Sequence, residues 1–244
     1  MLENVRIVLV GTSLPRNIGS AARAMKTMGL SRLYLAAPRA EIDGESVALA
    51  AGASDILRDV VITDDLAAAI ADCALVIGTS ARSRTHDWPQ LDARQAGIKL
   101  ADEGRQGPVA LVFGRENHGL NNEELQLCHY HVSIPANPQY SSLNLAQAVQ
   151  LISYETRMAY LSQATTEAEH ATIEYPTAAQ QEGFYQHLER VLYHTGFLKA
   201  DQPNQIMTKL RRLFSRARPE SAELNILRGV LKAIERSDNS NRDH

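Results

Sequence analysis

Four segments of the 244-residue chain combine glycine or small hydroxyl side chains with arginine or asparagine: Gly11–Arg23, Gly78–Arg84, Gly114–Leu120 and Pro135–Asn144. Each follows a short apolar run. Glycine lets a ligand approach the backbone, and bare N–H and C=O groups suit the edges of a nucleobase. Arg82, Arg84 and Arg115 fall on these loops, and guanidinium groups suit an anionic ligand through charge-assisted hydrogen bonds. The same residue types also build ordinary strand-to-helix turns. Taken singly, the loops do not separate the two readings.

Several chemistries are absent. No G-x-G-x-x-G follows an apolar run, so the dinucleotide fingerprint is missing. Gly114 and Gly119 have P-loop spacing, but Leu120 stands where lysine is needed. Neither G-x-S-x-G nor H-E-x-x-H occurs. The 8 histidines are scattered, and the 2 cysteines, Cys73 and Cys128, lie far apart. Neither a metal site nor a disulfide framework is expected. No apolar run reaches the roughly 18 residues of a membrane span. The opening MLENVRIVLV reads as a strand, not a secretion signal. The expectation is a cytoplasmic protein with reduced thiols, independent of membrane and metal.

The elements that position the loops follow from apolar patterning. Val5–Val10, Leu33–Ala37, Val60–Thr63, Ala74–Gly78, Val109–Phe113 and His131–Ile134 read as strands, most of them apolar throughout. Helical patterns lie between them, at Asn17–Met28, Ser46–Gly52, Asp65–Ala71, Asp92–Ala101 and Asn122–Cys128, and a long one runs from Ser142 to Gln163. Continuous apolar strands alternating with helices predict an α/β domain with a parallel sheet covered on both faces. Ligands of such sheets bind beyond the carboxyl ends of the strands, where the four segments fall.

Residues 1–163 therefore form the α/β domain. Residues 164–179, rich in Thr, Ala and Glu, read as a linker. Residues 180–236 hold only helical patterns, at Gln180–His194, Gln202–Arg218 and Ser221–Arg236, and 237–244 read as a polar tail. The whole chain carries a net charge of −3, so any nucleic-acid footprint must be local. Lys209–Arg218 has such a footprint, with five basic residues and no acidic one. Lys209, Arg212 and Arg216 share one helical face opposite Leu210, Leu213 and Phe214. With Arg211, they are candidates for gripping phosphates, although a solvated basic face has the same pattern.

Asn17-Ile18-Gly19 with Arg23, then Leu111–Leu120, then Ile134-Pro135 with Ser141–Ala146 resemble, in order and spacing, the three motifs of the SpoU branch of the SPOUT methyltransferases. The resemblance covers nearly the whole chain. It implies a trefoil-knotted α/β fold with a small all-helical extension, S-adenosylmethionine as cofactor, a homodimer and an RNA substrate. Thr79-Ser80-Ala81-Arg82 and Thr208–Phe214 are similar to members of the family that methylate the ribose 2′-hydroxyl of cytidine or uridine at nucleotide 32 of tRNA. Another tRNA position, rRNA, or a catalytically idle RNA-binding homologue are the alternatives.

The resemblance assigns cofactor contacts to Thr79, Ser80, Ala81, Gly114, Glu116, Ile134, Ser141, Ser142 and Leu143. It places Arg23, Asn17, Ser142 and Asn144 at the catalytic step. Arginine is a poor base, because its pKa exceeds about 12, so Arg23 is read as stabilising charge. The plain structural alternatives are a solvated Arg23, helix caps at Asn17, Ser142 and Asn144, and a helix-start carboxylate at Glu116. Gly11 departs from the acidic residue common at its position in the family.

Overall fold

Val5–Val10 (β1) is buried along its whole length, as its unbroken apolar pattern requires of a central parallel strand. Its one charged member, Arg6, is 3% exposed. Arg6 survives burial because it donates to both carboxylate oxygens of Asp72, at 2.7 and 2.9 Å, and lies over the Tyr34 ring. The other strands are Arg32–Ala36 (β2), Val61–Thr63 (β3), Leu75–Thr79 (β4), Gln90–Asp92 (β5), Val109–Phe113 (β6) and Tyr130–Ser133 (β7). They form one sheet in the order β3-β2-β1-β6-β4-β7-β5, with every pairing parallel. The computed structural model describes residues 2–80, 88–163, 173–199 and 205–240.

Helices cover the sheet: Pro15–Thr27 (α1), Gly44–Ala50 (α2), Ser54–Arg58 (α3), Leu66–Ile70 (α4), Ala93–Glu103 (α5), Asn122–Gln126 (α6) and Leu145–Gln163 (α7). Several starts are fixed by side chains. Asp43, Asp92 and Asn121 each close a reciprocal capping box with the third helical residue. On α1, Gly19 lies so close to α2 that a Cβ there would stand 2.0 Å from the Ser46 carbonyl oxygen. The glycine of the first motif is thus required by helix packing. The core joins Ile7, Leu9, Leu33, Leu35, Leu75, Ile77, Leu111 and Phe113 of the sheet to Ile18 and Met25 of α1, Leu100 of α5, and Val149 and Ile152 of α7.

Sequence patterning misplaces or omits a few elements. β5 and α3 were not anticipated. β5 is a three-residue edge strand with two exposed residues, and α3 has five residues, so neither shows a period. The long helix begins at Leu145 rather than Ser142, which leaves Ser141–Asn144 in the preceding loop. Asn17 is no cap: the cap position is Leu14, Pro15 opens the helix, and Asn17 lies buried in the first turn.

The chain divides into two compact units, Met1–Ala171 and Thr172–His244. The second contains Ala178–His194 (α8), Gln205–Ala217 (α9) and Ser221–Ser240 (α10). Phe184, Tyr185, Val191, Leu224 and Leu231 form its core, with Phe214 edge-on to Phe184 at 4.9 Å between ring centres. α8 starts at Ala178, two residues before the expected helix start at Gln180, capped by Thr177. α10 continues past Arg236 into the segment expected to be a polar tail.

Candidate functional site

A cavity of about 870 Å³ opens at the carboxyl ends of β4, β6 and β7. Thr79 ends β4 and Ser80 follows it, residues 114–121 follow β6, and Ile134 follows β7. Ser141, Ser142 and Leu143 close it from the loop before α7. The Ser80 N–H donates to the Val132 carbonyl at 2.9 Å, which ties two of these strand ends together. The structure thus gathers Thr79, Ser80, Gly114, Arg115, Glu116, Ile134, Ser141, Ser142 and Leu143 around one space. Ala81, Arg82 and Arg84 lie outside the described residues.

Asn17, Glu116 and Asn144 form one hydrogen-bonded chain. Asn17 Nδ2 donates to Glu116 Oε1 at 3.0 Å, and Asn144 Nδ2 donates to Asn17 Oδ1 at 3.3 Å. Ser13 Oγ donates to Glu116 Oε2 at 3.1 Å. Burial works to raise the Glu116 pKa, but the bonds from Asn17 and Ser13 outweigh it and hold the carboxyl below its ordinary value. An ionised carboxylate only accepts. It therefore fixes which end of the Asn17 amide faces it, and the amide oxygen is left for Asn144. Asn144 Oδ1 also accepts from the Ala146 N–H at 2.9 Å, so this residue caps the start of α7 while its amide nitrogen reaches Asn17. The helix-start reading of Glu116 does not, because α6 begins only at Asn122.

Gly114 lines the cavity and also meets a packing requirement of its own loop. A Cβ there would lie 2.0 Å from the Gly119 carbonyl carbon and 2.1 Å from the Leu120 nitrogen. Its lack of a side chain lets the 114–120 loop fold back on itself, a fold held by Arg115 N–H to Gly119 O at 3.2 Å and Gly119 N–H to Arg115 O at 2.9 Å. The Arg115 side chain crosses Gly11, which adopts φ +60°, and makes two 2.9 Å bonds to Glu124. Arg115 was expected to bind RNA, yet its charge is already matched inside the protein. At Gly11 the acidic residue of the family would have to share space with that guanidinium.

Arg23 stands apart from the large cavity. It lines a shallower hollow of about 500 Å³ between α1 and α7, with Ser20, Thr27, Gln147 and Leu151. Leu143 lines both spaces. Arg23 is exposed and meets no carboxylate among the described residues. Three participants were not singled out from the sequence. Ser13 and Glu124 brace Glu116 and Arg115, and Arg39 lines the large cavity from the loop after β2. Long-range partners leave no local signature, and the Ala36-Ala37-Pro38-Arg39 loop lacks the glycine or small hydroxyl residues that mark the others.

In the helical unit, α9 carries the basic window. Lys209 and Arg216 are exposed and Arg212 is half-buried, and none of the three meets a carboxylate among the described residues. Arg211 differs. It makes bonds of 2.6 and 2.8 Å to Glu182 and lies 4.5 Å over the Tyr185 ring. It binds α9 to α8.

The description SpoU rRNA Methylase family belongs to the family model that matches residues 4–154. A second, tRNA methyltransferase TrmJ, C-terminal domain, matches residues 179–243. The chain is 58% identical over 241 residues to the tRNA (cytidine/uridine-2′-O-)-methyltransferase TrmJ of Yersinia pestis (strain Pestoides F), covering 98% of this chain and 94% of the relative. The crystal structure of TrmJ from Z. mobilis ZM4 is similar with a TM-score of 0.81 and 33% identity, over 94% of this chain and 98% of that one. The SpoU methyltransferase AviRb from Streptomyces viridochromogenes, solved in complex with the cofactor AdoMet, is similar with a TM-score of 0.52 and 26% identity, over 66% of this chain and 62% of that one.

Proposed function

The chain belongs to the SpoU methylase family, and we propose that it methylates the ribose 2′-hydroxyl of cytidine or uridine at nucleotide 32 of tRNA, with S-adenosylmethionine as the methyl donor. The Glu116–Asn17–Asn144 chain beside the strand-end cavity carries this reading, because it joins one residue of each motif into a single ordered polar site. The names of the relatives supply the tRNA, the two pyrimidines and the 2′-oxygen. Nucleotide 32 rests on the resemblance of the Thr79–Arg82 and Thr208–Phe214 segments.

The cavity fits the donor. Its volume lies in the range of small-ligand sites. The backbone of residues 114–121 and the small Thr79, Ser80, Ser141 and Ser142 suit an adenine and a ribose, and Leu143, Leu145 and Ala148 supply apolar wall. When bound there, S-adenosylmethionine supplies an electrophilic methyl on a sulfonium centre, which needs no metal to activate it. The protein has to hold the ribose in line and stabilise the charge that develops as the 2′-hydroxyl loses its proton. Arg23 does this electrostatically, as a cation lining the hollow that shares Leu143 with the cavity. The proton of the 2′-hydroxyl leaves to water or phosphate. Asn17 and Asn144, locked by Glu116, orient the nucleotide, and Ser142 stands at the same wall.

A homodimer belongs to this reading. On α7, Leu151, Tyr154, Met158 and Leu161 are exposed at helical spacing, and this apolar stripe suits a second copy of the chain. Lys209, Arg212 and Arg216 grip tRNA phosphates without reading sequence. No helix among the described residues is long and apolar enough to cross a membrane, and the same residues contain no group of His, Cys, Asp and Glu that could hold a metal. A tRNA substrate places the enzyme in the cytoplasm.

The test is mass-spectrometric nucleoside mapping of tRNA and rRNA incubated with the protein and isotope-labelled S-adenosylmethionine. The expected product is 2′-O-methylated cytidine or uridine at tRNA nucleotide 32. Label in rRNA alone, or at another tRNA nucleotide, overturns the assigned target.

A further inference from the structure

Arg39 is not part of the motifs, yet it lines the large cavity from the side of β2, a strand none of the motif loops follows. Its presentation is built. Ala37 N–H donates to Thr63 O at 2.9 Å, and the N–H groups of Arg39 and Ala40 both donate to Thr12 O, at 2.9 and 3.0 Å. The loop is therefore pinned to the ends of β1 and β3. Ala37 takes φ +46°, a left-handed conformation that costs a non-glycine residue energy and persists only where the surroundings enforce it. Pro38 then fixes the next φ.

Four other arginines of this unit have carboxylate partners, Arg6 with Asp72, Arg58 with Asp59, Arg94 with Glu155 and Arg115 with Glu124, whereas Arg39, like Arg23, has none among the described residues. Arg39 is exposed and meets no carboxylate among the described residues, although Glu41 and Asp43 are close in sequence. A pinned, strained loop thus holds an unmatched guanidinium at the wall of the site.

We propose that Arg39 binds a backbone phosphate of the tRNA at this cavity, a contact additional to the basic face of α9. This rests on the tRNA reading above. Charge favours the RNA over the cofactor as the source of the anionic oxygen. At neutral pH S-adenosylmethionine carries an ammonium, a sulfonium and one carboxylate, so it is a net cation, which an unmatched arginine repels. RNA brings one negative charge per nucleotide.

The experiment compares the full-length protein with Arg39→Ala, Arg39→Lys and Arg58→Ala, the last removing a paired, exposed arginine. tRNA affinity is measured across a salt series, and S-adenosylmethionine affinity is measured by calorimetry without RNA. Arg39→Ala is expected to weaken tRNA binding roughly fivefold at low salt and to make the slope of log affinity against log salt shallower by about one, as loss of one phosphate contact requires. Arg39→Lys should restore most of the slope, because the charge is kept, and Arg58→Ala should match the wild type. Cofactor affinity should stay unchanged. Wild-type tRNA affinity and slope in Arg39→Ala overturn the inference. So does a loss of cofactor affinity with an unchanged salt slope, which assigns Arg39 to the cofactor's carboxylate. If the wild type neither binds nor methylates tRNA, the functional reading itself falls and takes this contact with it.

Discussion

Glu116 and Asn17, 99 positions apart in the chain, meet at 3.0 Å, and the carboxylate decides which way the asparagine amide points. Because Asn144 bonds the other end of that amide, one acidic side chain orders a group from each of two other motifs. Glu116→Gln replaces a pure acceptor with a group that can also donate, so the amide loses its fixed direction. The expected outcome is a fall in kcat of roughly tenfold, the equivalent of about 1.5 kcal/mol for a hydrogen bond to a charged group. tRNA affinity should change little. Single-turnover kinetics with calorimetry on the same variant check this, and an unchanged kcat refutes the orienting role.

The pH dependence has a definite sign. The Glu116 carboxyl is held below its ordinary value, so it binds its proton less readily in the folded protein than in the unfolded chain. Its contribution is present above the ordinary carboxylate range and is lost as pH falls through the lowered value. Glu182, held down by Arg211, behaves in the same way. Thermal melting of the wild type beside Glu116→Gln should show their difference shrink only at and below the usual carboxylate range, separately from the earlier decline that buried His131, with its pKa pushed down, adds to both proteins. A difference that already shrinks near pH 7 contradicts this assignment.

Gly114→Ala separates two accounts of that glycine. If it served only to admit a cofactor, the apo protein would tolerate the methyl group. The added Cβ instead meets backbone at 2.0 Å, which cannot move aside as a flexible side chain can. Melting of the cofactor-free protein should therefore show a loss on the order of 1–3 kcal/mol, as overpacking does. Cofactor binding should weaken along with it. Wild-type apo stability combined with lost cofactor binding would favour the ligand-approach account.

Arg23→Ala tests charge stabilisation at the chemical step. A contact that strengthens as charge develops acts on kcat more than on ground-state binding. Loss of one such group costs about 10²–10³ in rate. tRNA and cofactor affinities should stay near wild type, and Arg23→Lys should restore part of the rate. A variant defective only in KM places Arg23 in tRNA binding instead.

What the sequence made legible follows from the range of each interaction. The strands at Val5–Val10 and Val109–Phe113 have the expected bounds because a doubly covered parallel strand is apolar at every position. β5 was missed because Gln90-Leu91-Asp92 pairs at the sheet edge with little burial. The cavity residues were legible as motif matches, whereas the purpose of each was not. Gly114 faces its own loop, and Arg115 and Arg211 face carboxylates supplied by other segments. Such pairings depend on which elements become neighbours, and apolar periodicity does not encode that. The trefoil threading implied by the resemblance lies beyond any local pattern for the same reason.

Arg211 and Arg216 lie five residues apart on α9, and the structure divides their tasks. Arg211 is mostly buried, pairs with Glu182 and stacks on Tyr185, so Arg211→Ala should destabilise the helical unit by about 2 kcal/mol, below the full cost of breaking a wholly buried pair. Arg216 is exposed and meets no carboxylate among the described residues. Arg216→Ala, alone or with Lys209→Ala and Arg212→Ala, should leave the melting temperature within error of wild type. Each removed contact should make the salt dependence of tRNA binding shallower by about one unit of slope. The two measurements must diverge: a lower melting point for Arg211→Ala, and a shallower salt slope for the other three. If all four variants melt as the wild type and bind tRNA with its affinity and slope, α9 is neither braced nor used as described. tRNA would then be held by the α/β unit alone.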